Sequence, residues 1–322
     1  MNRLAKWIGS ALVAAGCALP LAAQPQSYPS RPIRLVVPIV PGGVVDLAVR
    51  RFAQKMTESL SQAVVVENIA GAGGTIGAAK VASAAPDGYT IMWATTGEMI
   101  GYLFLTRNRH YDPVKDFTPV MAAITPITLL VAHPSAPGTL KEFIDHARAN
   151  PGKLAYSSSG IGATFHMVGE MLKSAAGVDI LHVPYKGVPQ AIAGLASDDV
   201  QLSIASVESS RPYTGRIKVL AINGLKRYAK MPGVPSVAEV VPGFEKVPHW
   251  FSFFAPAGLP RAMQMKLNGE MNRIAATPEM QQYFDSIDVE FLGGTPEDLA
   301  ALHRSGIETY AKAAKLAGIK PE

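Results

Sequence analysis

Cysteine is nearly missing from this chain. Its 322 residues contain one, Cys17, inside an alanine-rich stretch close to the start. From residue 24 onward there is none, so disulfides, thiolate nucleophiles and cysteine metal ligands are excluded there. Charge is sparse as well. Charged residues make up 17% against 48% hydrophobic, a balance that speaks for a globular chain and against disorder. The formal net charge is +5, two units of which come from Arg3 and Lys6. No basic cluster accompanies that small excess, so a nucleic-acid partner is not expected. The seven histidines are scattered and form no His-x-x-x-His pair, and no G-x-S-x-G elbow occurs. Ser159 and His166 stand seven apart with no evident acid partner, a poor start for a triad. No catalytic residue, metal site or cofactor is therefore expected.

The chain begins with a basic segment, residues 1–6, followed by an apolar one, residues 7–21, and then Ala22-Ala23 before Gln24. That order reads as a secretory signal peptide cleaved after Ala23. Ala14-Ala15-Gly16-Cys17 also resembles a lipoprotein cleavage box, with alanine in an unfavourable first position, so lipid attachment stays open. No later segment reaches the roughly 20 unbroken apolar residues of a spanning helix. A soluble protein exported to the periplasm is expected.

What the chain does contain is a repeated unit. Residues 33–37 (IRLVV) form an apolar run suited to a strand buried on both faces. Pro38 and Pro41 end it, Gly42 and Gly43 permit a tight turn, and Asp46 falls in the first turn of a helix. The pattern of strand, glycine or hydroxyl loop, helix returns at 63–84 through Asn68-Ile69-Ala70-Gly71-Ala72-Gly73-Gly74. It returns again at 89–97 through Thr95, Thr96 and Gly97. Alternating strands and helices predict a parallel-rich sheet, and loops at the carboxyl ends of its strands share one crevice. Backbone N–H groups at such turns and helix starts favour an anion. The spacing of Gly71, Gly73 and Gly77 is one residue off a dinucleotide fingerprint, and Glu98 is in the wrong place for its acid.

Residues 111–120 read as a polar, proline-containing connector, with a composition break at Thr125-Pro126. A second block of strands and helices runs from 127 to 222 and carries the loop Ser158-Ser159-Gly160-Ile161-Gly162-Ala163-Thr164. A linker at 243–249 leads to an aromatic strand and three helices expected to pack back on the first block. The expected division is a signal peptide at 1–23, one lobe from 24–125 plus 246–322, and a second from 126–245. Two lobes joined by two crossings is the plan of a hinged binding protein.

Nine short landmarks, in order, resemble the extracytoplasmic solute receptors of tripartite tricarboxylate transporters, the Bug family. They are YPSRPIRLVVP at Tyr28, PGG at Pro41, VVVEN at Val64, GAGGTIGA at Gly71, APDGYT at Ala85, YDPVKDF at Tyr111, HVPYKG at His182, PGFE at Pro242 and APAG at Ala255. The resemblance spans nearly the whole chain after residue 23. It implies an α/β, two-lobed periplasmic binding fold of type II, each lobe a mixed, mostly parallel sheet flanked by helices. It also implies a monomer that captures a small carboxylate and delivers it to membrane transporter subunits. The implied ligand-binding positions are Gly42, Gly43, Val44, Asp46, Gly73, Thr95, Thr96 and Gly97 in the first lobe. In the second they are Ser158, Ser159, Thr164, His166, Tyr185 and Ser206.

The chain departs from the family pattern at Val44 and Val45, at Ile161, and at Ala205-Ser206, where the family often has an Asp-Asn pair. Without that acid an amino-acid ligand fits poorly. Val44, Val45, Ile161 and Phe165 suggest a carboxylate with an apolar or aromatic body. A receptor presenting its ligand to a signalling partner fits the same residues, and a hydrolase fits them less well.

Overall fold

The computed structural model describes residues 28–42 and 44–321. The signal peptide, its cleavage point after Ala23, Cys17 and Gly43 lie outside the described residues. The elements in chain order are β1 (Ile33–Val37), α1 (Val44–Leu60), β2 (Val64–Asn68), α2 (Thr75–Ala82), β3 (Thr90–Thr95), α3 (Tyr102–Leu105), β4 (Phe117–Pro126) and β5 (Thr128–Ala132). There follow α4 (Leu140–Ala149), β6 (Ala155–Ser158), α5 (Thr164–Ala176), β7 (Leu181–Pro184), α6 (Val188–Ala196), β8 (Leu202–Ser206), α7 (Val207–Ser210) and β9 (Lys218–Ile222). The chain closes with α8 (Val237–Val240), β10 (Phe251–Pro256), α9 (Arg261–Ala275), α10 (Pro278–Ser286), β11 (Val289–Gly293) and α11 (Pro296–Leu316).

The strands form two sheets. One has the order β11-β4-β10-β3-β1-β2, the other β7-β6-β8-β5-β9. β1 pairs in parallel with β2 and β3, and β6 with β7 and β8. The antiparallel ladders come from β10 and β11 in the first sheet and from β5 in the second. Period-two alternation splits each strand between two faces. Ile33, Leu35 and Val37 pack with Phe52, Met56, Leu267 and Phe284 under α1, α9 and α10. Val36, Met92 and Ala94 face the other way, into a core that runs through Ile100, Phe165 and Tyr310 to Leu130, Leu202 and Ile204 of the second sheet. The outer face of the second sheet has its own cluster around Leu129, Ile192 and Leu195.

The aromatic segment at 250–254 is core, as Trp250, Phe251, Phe253 and Phe254 are all buried. The three C-terminal helices do pack on the first sheet, and α11 also touches α5. The sheets are mixed as expected but not mostly parallel, because β10, β11 and β5 run back against their neighbours and make five of the nine ladders among the described residues antiparallel. One element also differs from the sequence reading. The expected connector ends early, because β4 begins at Phe117 and sits between β11 and β10. Pro119 disguises it. The ladder with β10 shifts register between Phe253 and Phe254, beside Pro119, and such irregularities accommodate a proline inside a sheet.

The chain crosses between sheets at Pro126–Ile127 and again at 243–249. At the first crossing Ile127 N–H donates to Asp288 O (3.0 Å) and Val207 N–H donates to Ile127 O (3.0 Å), so the crossing is bonded on both sides. At the second, Thr125 Oγ1 donates to His249 O (2.7 Å). No helix among the described residues is long and apolar enough to cross a membrane.

Phe52 meets Trp93, Phe253 and Phe284 at centroid separations of 5.4–5.8 Å and is fully buried. Phe52→Ala should lower stability by about 3–5 kcal/mol, read from urea unfolding. A loss below about 1 kcal/mol would mean this cluster does not hold the first sheet together.

Candidate functional site

The loops that follow β1, β2 and β3 meet at one end of the first sheet. Gly42 N–H donates to Asp46 Oδ2 (3.0 Å), and the same carboxylate accepts from Arg50 Nε (2.8 Å) and Asn68 Nδ2 (2.8 Å). Asp46 thus ties the first turn to α1 and to the end of β2. Burial pushes its carboxyl up, but the bonds from Arg50, Asn68 and Gly42 outweigh burial and hold it below the usual carboxylate range. Val44 opens α1. In the second loop, Gly73 and Gly74 both have left-handed backbones (φ 66° and 94°). Gly74 needs that freedom at a crowded point. A Cβ there would lie 3.3 Å from Pro38 O and 3.1 Å from Glu98 Oε2, so this residue is where the three loops touch.

The third loop is a helix start of the form Thr-x-x-Glu. Thr95 N–H and Thr95 Oγ1 both donate to the Glu98 carboxylate, and Gly97 N–H donates to Thr95 Oγ1 (3.0 Å). This is capping-box chemistry. Glu98 is 1% exposed, and burial pushes its carboxyl up to about 7 against the opposing pull of the Thr95 bonds.

The facing loop, at the end of β6, is held by two histidines. His166 Nδ1 accepts from Gly162 N–H (3.1 Å), and its ring stacks on His182 at 3.9 Å and 8°. His182 in turn stacks on Tyr156, and its Nε2 lies 2.7 Å from Ser158 Oγ. Tyr156 OH donates to Glu170 Oε1 (2.7 Å), which also receives Lys173. Burial holds both histidines down, His182 to about 4, with the neighbouring ring and Lys173 acting in the same direction on His182. Both are neutral near pH 7, and they position the loop. Ser158 is fully buried, so its closeness to His182 does not make it an accessible nucleophile. Ser159 is half-buried, and its side chain has no hydrogen-bond partner among the described residues. Tyr185 N–H donates to Ser158 O (3.0 Å), and its ring covers Gly194. Ser206 caps α7 through Ser209 N–H (3.1 Å).

The two sets of loops are joined. Thr96 Oγ1 lies 3.1 Å from Thr164 Oγ1, and Thr164 Oγ1 lies 2.7 Å from Tyr310 OH on α11. Tyr310 is 1% exposed, and burial pushes its hydroxyl up to about 12. Beside this chain a Cβ on Gly101 would sit 3.4 Å from Gly162 O, and Leu105 covers Gly162, where a Cβ would come within 2.2 Å of it. Of the apolar residues expected near the crevice, Ile161 is 63% exposed, Val45 is half-buried, and Phe165 is buried edge-on to His249 (5.3 Å). Phe165 belongs to the packing between the sheets.

Thr96 and Thr164 are thus brought together, while Asp46, His166 and Ser206 are engaged in holding their own loops. The sequence reading passed over Glu98 and Tyr310. The Thr-x-x-Glu spacing could have revealed the first; nothing local marks the second. A cavity of about 270 Å³ beside the crossings, lined by Asn223, Lys246 and Glu290 among others, contains none of the expected site residues.

The histidine pair has a pH signature. Each ring is neutral in the fold but gains a proton near pH 6.5 when unfolded, so stability falls as pH drops through 6.5 toward about 4. The advantage of wild type over His182→Gln should therefore shrink by about 2 kcal/mol between pH 7 and 4, after allowance for partial exposure. A constant difference in urea unfolding across that range would contradict the neutral stack.

The profile of the tripartite tricarboxylate transporter family receptor matches residues 48–315. A Pseudomonas sp. (strain P51) protein, described as a UPF0065 protein in the tcbD-tcbE intergenic region, is 39% identical over 316 residues, 95% of this chain and 94% of its own. The structure of Rhodopseudomonas palustris Rpa4515 with adipate superposes with a TM-score of 0.81 at 34% identity, covering 92% of this chain and all of that one. MatC from the same organism, with bound malate, gives 0.74 at 29% identity over 89% of this chain and all of that one. The two mixed sheets flanked by helices are those of a type II periplasmic binding protein, and the chain belongs to the tripartite tricarboxylate transporter receptor family of solute-binding proteins.

Proposed function

We propose that this protein is a periplasmic receptor that captures a small carboxylate with an apolar body between its two lobes and delivers it to the membrane subunits of a tripartite transporter. One observation carries the reading. The glycine and hydroxyl loops of both sheets face each other across the Thr96–Thr164 contact, and their polar groups are main-chain amides and hydroxyls. Arg50, the cation beside the first turn, is already engaged by Asp46 and Asn68. An anion held this way depends on N–H dipoles, worth roughly 0.3–2 kcal/mol each, and on hydroxyl bonds of about 1 kcal/mol. Several together approach the roughly 8 kcal/mol of micromolar binding.

The relatives support the same ligand class. Adipate is an aliphatic diacid and malate a hydroxy diacid, each bound to a protein of this family. Ile161 and Val45 lean the choice toward the adipate side, because neither can hydrogen-bond a ligand hydroxyl. The binding set we assign is Gly43, Gly73, Thr96, Ser159 and Thr164, with Val44 beside them; Gly42, Thr95 and Gly97 have their donors engaged within their own loops and fix the shape of the site. Asp46, Ser158, His166, Tyr185 and Ser206 shape the loops that present these groups. The lobes divide at the crossings, 28–125 plus 246–321 against 126–245, and closure about them would bring both loop sets onto one ligand.

A thermal-shift screen of aliphatic, aromatic and hydroxylated acids, followed by calorimetry, tests the reading. Aliphatic or aromatic acids should raise the melting temperature and bind one to one without turnover. Thr96→Val and Thr164→Val should each weaken the best acid by roughly 5- to 10-fold, the equivalent of one hydroxyl bond. Stabilisation by amino acids or citrate alone, or product formation from any acid, would replace this reading.

A further inference from the structure

Capping a helix does not by itself account for Glu98. The acids of the other capping boxes among the described residues, Glu142, Glu239 and Asp298, are exposed, whereas Glu98 is 1% exposed and no cation is among the groups acting on its carboxyl. Its partners are the N–H and hydroxyl of Thr95, in the loop assigned to the ligand. No positive charge of the surrounding elements acts on its carboxyl. The turn at Gly71–Gly74 has no titratable group. Tyr111 donates its hydroxyl to Glu98 O (2.8 Å) and stacks on Tyr102. From α11 come Tyr310 and His303, and the His303 ring, bonded at 2.8 Å to Met99 O, is held neutral by burial. Asp112 and Arg304 act on His303 from further out. A buried, uncompensated carboxyl therefore stands directly behind an anion-binding loop.

We propose that Glu98 is a specificity-determining residue that makes capture of a carboxylate proton-coupled, one proton from solvent being held on Glu98 for each anion docked on the Thr95–Gly97 loop. The proposal rests on the carboxylate reading above. An anion docked on this loop adds a negative charge next to the residue that Glu98 holds, and a nearby like charge raises the proton affinity of a buried carboxyl. The balance is simple: the ligand enters as its anion, Glu98 goes from carboxylate to carboxylic acid, and no other bond is made or broken. The same residue discriminates against doubly charged headgroups such as phosphate, since one proton cannot offset two charges. Affinity then falls with rising pH, by up to about tenfold per unit above pH 7, and levels off below it.

Calorimetry of the exported protein with adipate, in Hepes and in Tris from about pH 6 to 9, measures proton uptake directly. Uptake should be near zero at about pH 6 and approach one per adipate at about pH 8, with the affinity trend above. Glu98→Gln should abolish both the uptake and the pH dependence. Adipate binding at about pH 8 without uptake, or uptake that persists in Glu98→Gln, overturns the proposal and leaves the carboxylate reading intact. Failure of adipate and of every other acid in the screen to bind removes that reading, and this proposal with it. If Glu98→Gln does not fold, carboxyl-carbon NMR of glutamate-labelled wild type decides. One carboxyl titrating near pH 7 without adipate should move above about pH 8 with it, and an unmoved titration overturns the proposal.

Discussion

Three hydroxyls hold the facing loops of this protein in register. Thr96 comes from the end of the first sheet, Thr164 from the first turn of α5, and Tyr310 from α11. Each can donate once and accept more than once, so a chain of three leaves capacity for a further partner. Because Tyr310 is buried, the chain sits in a setting where an unmet hydroxyl is costly. The arrangement of the surrounding loops follows from satisfying it: Gly101 and Gly162 allow the backbones to approach, and Leu105 closes the side.

At the crossings, a second set of contacts joins segments far apart in sequence. Buried Asp288 receives Arg211, Tyr228 (2.7 Å) and Lys230 (3.4 Å) from the second-sheet segment, while its own carbonyl accepts from Ile127 at the first crossing. Asp288 stands in a left-handed backbone conformation (φ 52°), unusual outside glycine, and these bonds hold it there. The crossing is thus bonded to β11 on one side and to α7 on the other. In the closure proposed above, this bonded crossing is the fixed point and the hydroxyl chain at the loops is the contact made or broken.

Much of this was readable in the sequence, for stated reasons. Strands such as β1 and helices such as α6 and α10 announce themselves through apolar runs, periodicity and Pro at the first turn. The glycine turns mark the loop cluster because only glycine tolerates their backbones. β4 was hidden because Pro113 and Pro119 read as breakers, and only the shifted ladder with β10 shows how one of them is accommodated. Tyr310 could not be found by local reasoning, since its partners lie 146 and more residues away and helix periodicity marks it only as a core position. His166 has a task that the sequence does not show. A histidine beside a glycine loop suggests a ligand contact, but stacking on His182 and acceptance from Gly162 give it a structural task.

The charge economy of the crevice ties these points together. An anion site built on a cation, such as a buried arginine, carries a desolvation penalty when empty. Amide dipoles avoid that penalty because they are fixed by the fold and remain neutral. The drawback is that they supply no net charge against the low dielectric created when two lobes close. A buried acid behind the loop makes the deficit worse while ionised and removes its own contribution once protonated. Glu98, bonded to the same Thr95 that faces the crevice, therefore couples the proton state of the floor to the occupancy of the loop through a single residue. The fold needs Glu98 to cap the helix start, and a neutral carboxylic acid or a glutamine can meet that need only in part. Its carboxyl lies beside Gly74, out of water and within electrostatic reach of Tyr310, so a change in its charge is felt by the loop and by the hydroxyl chain together.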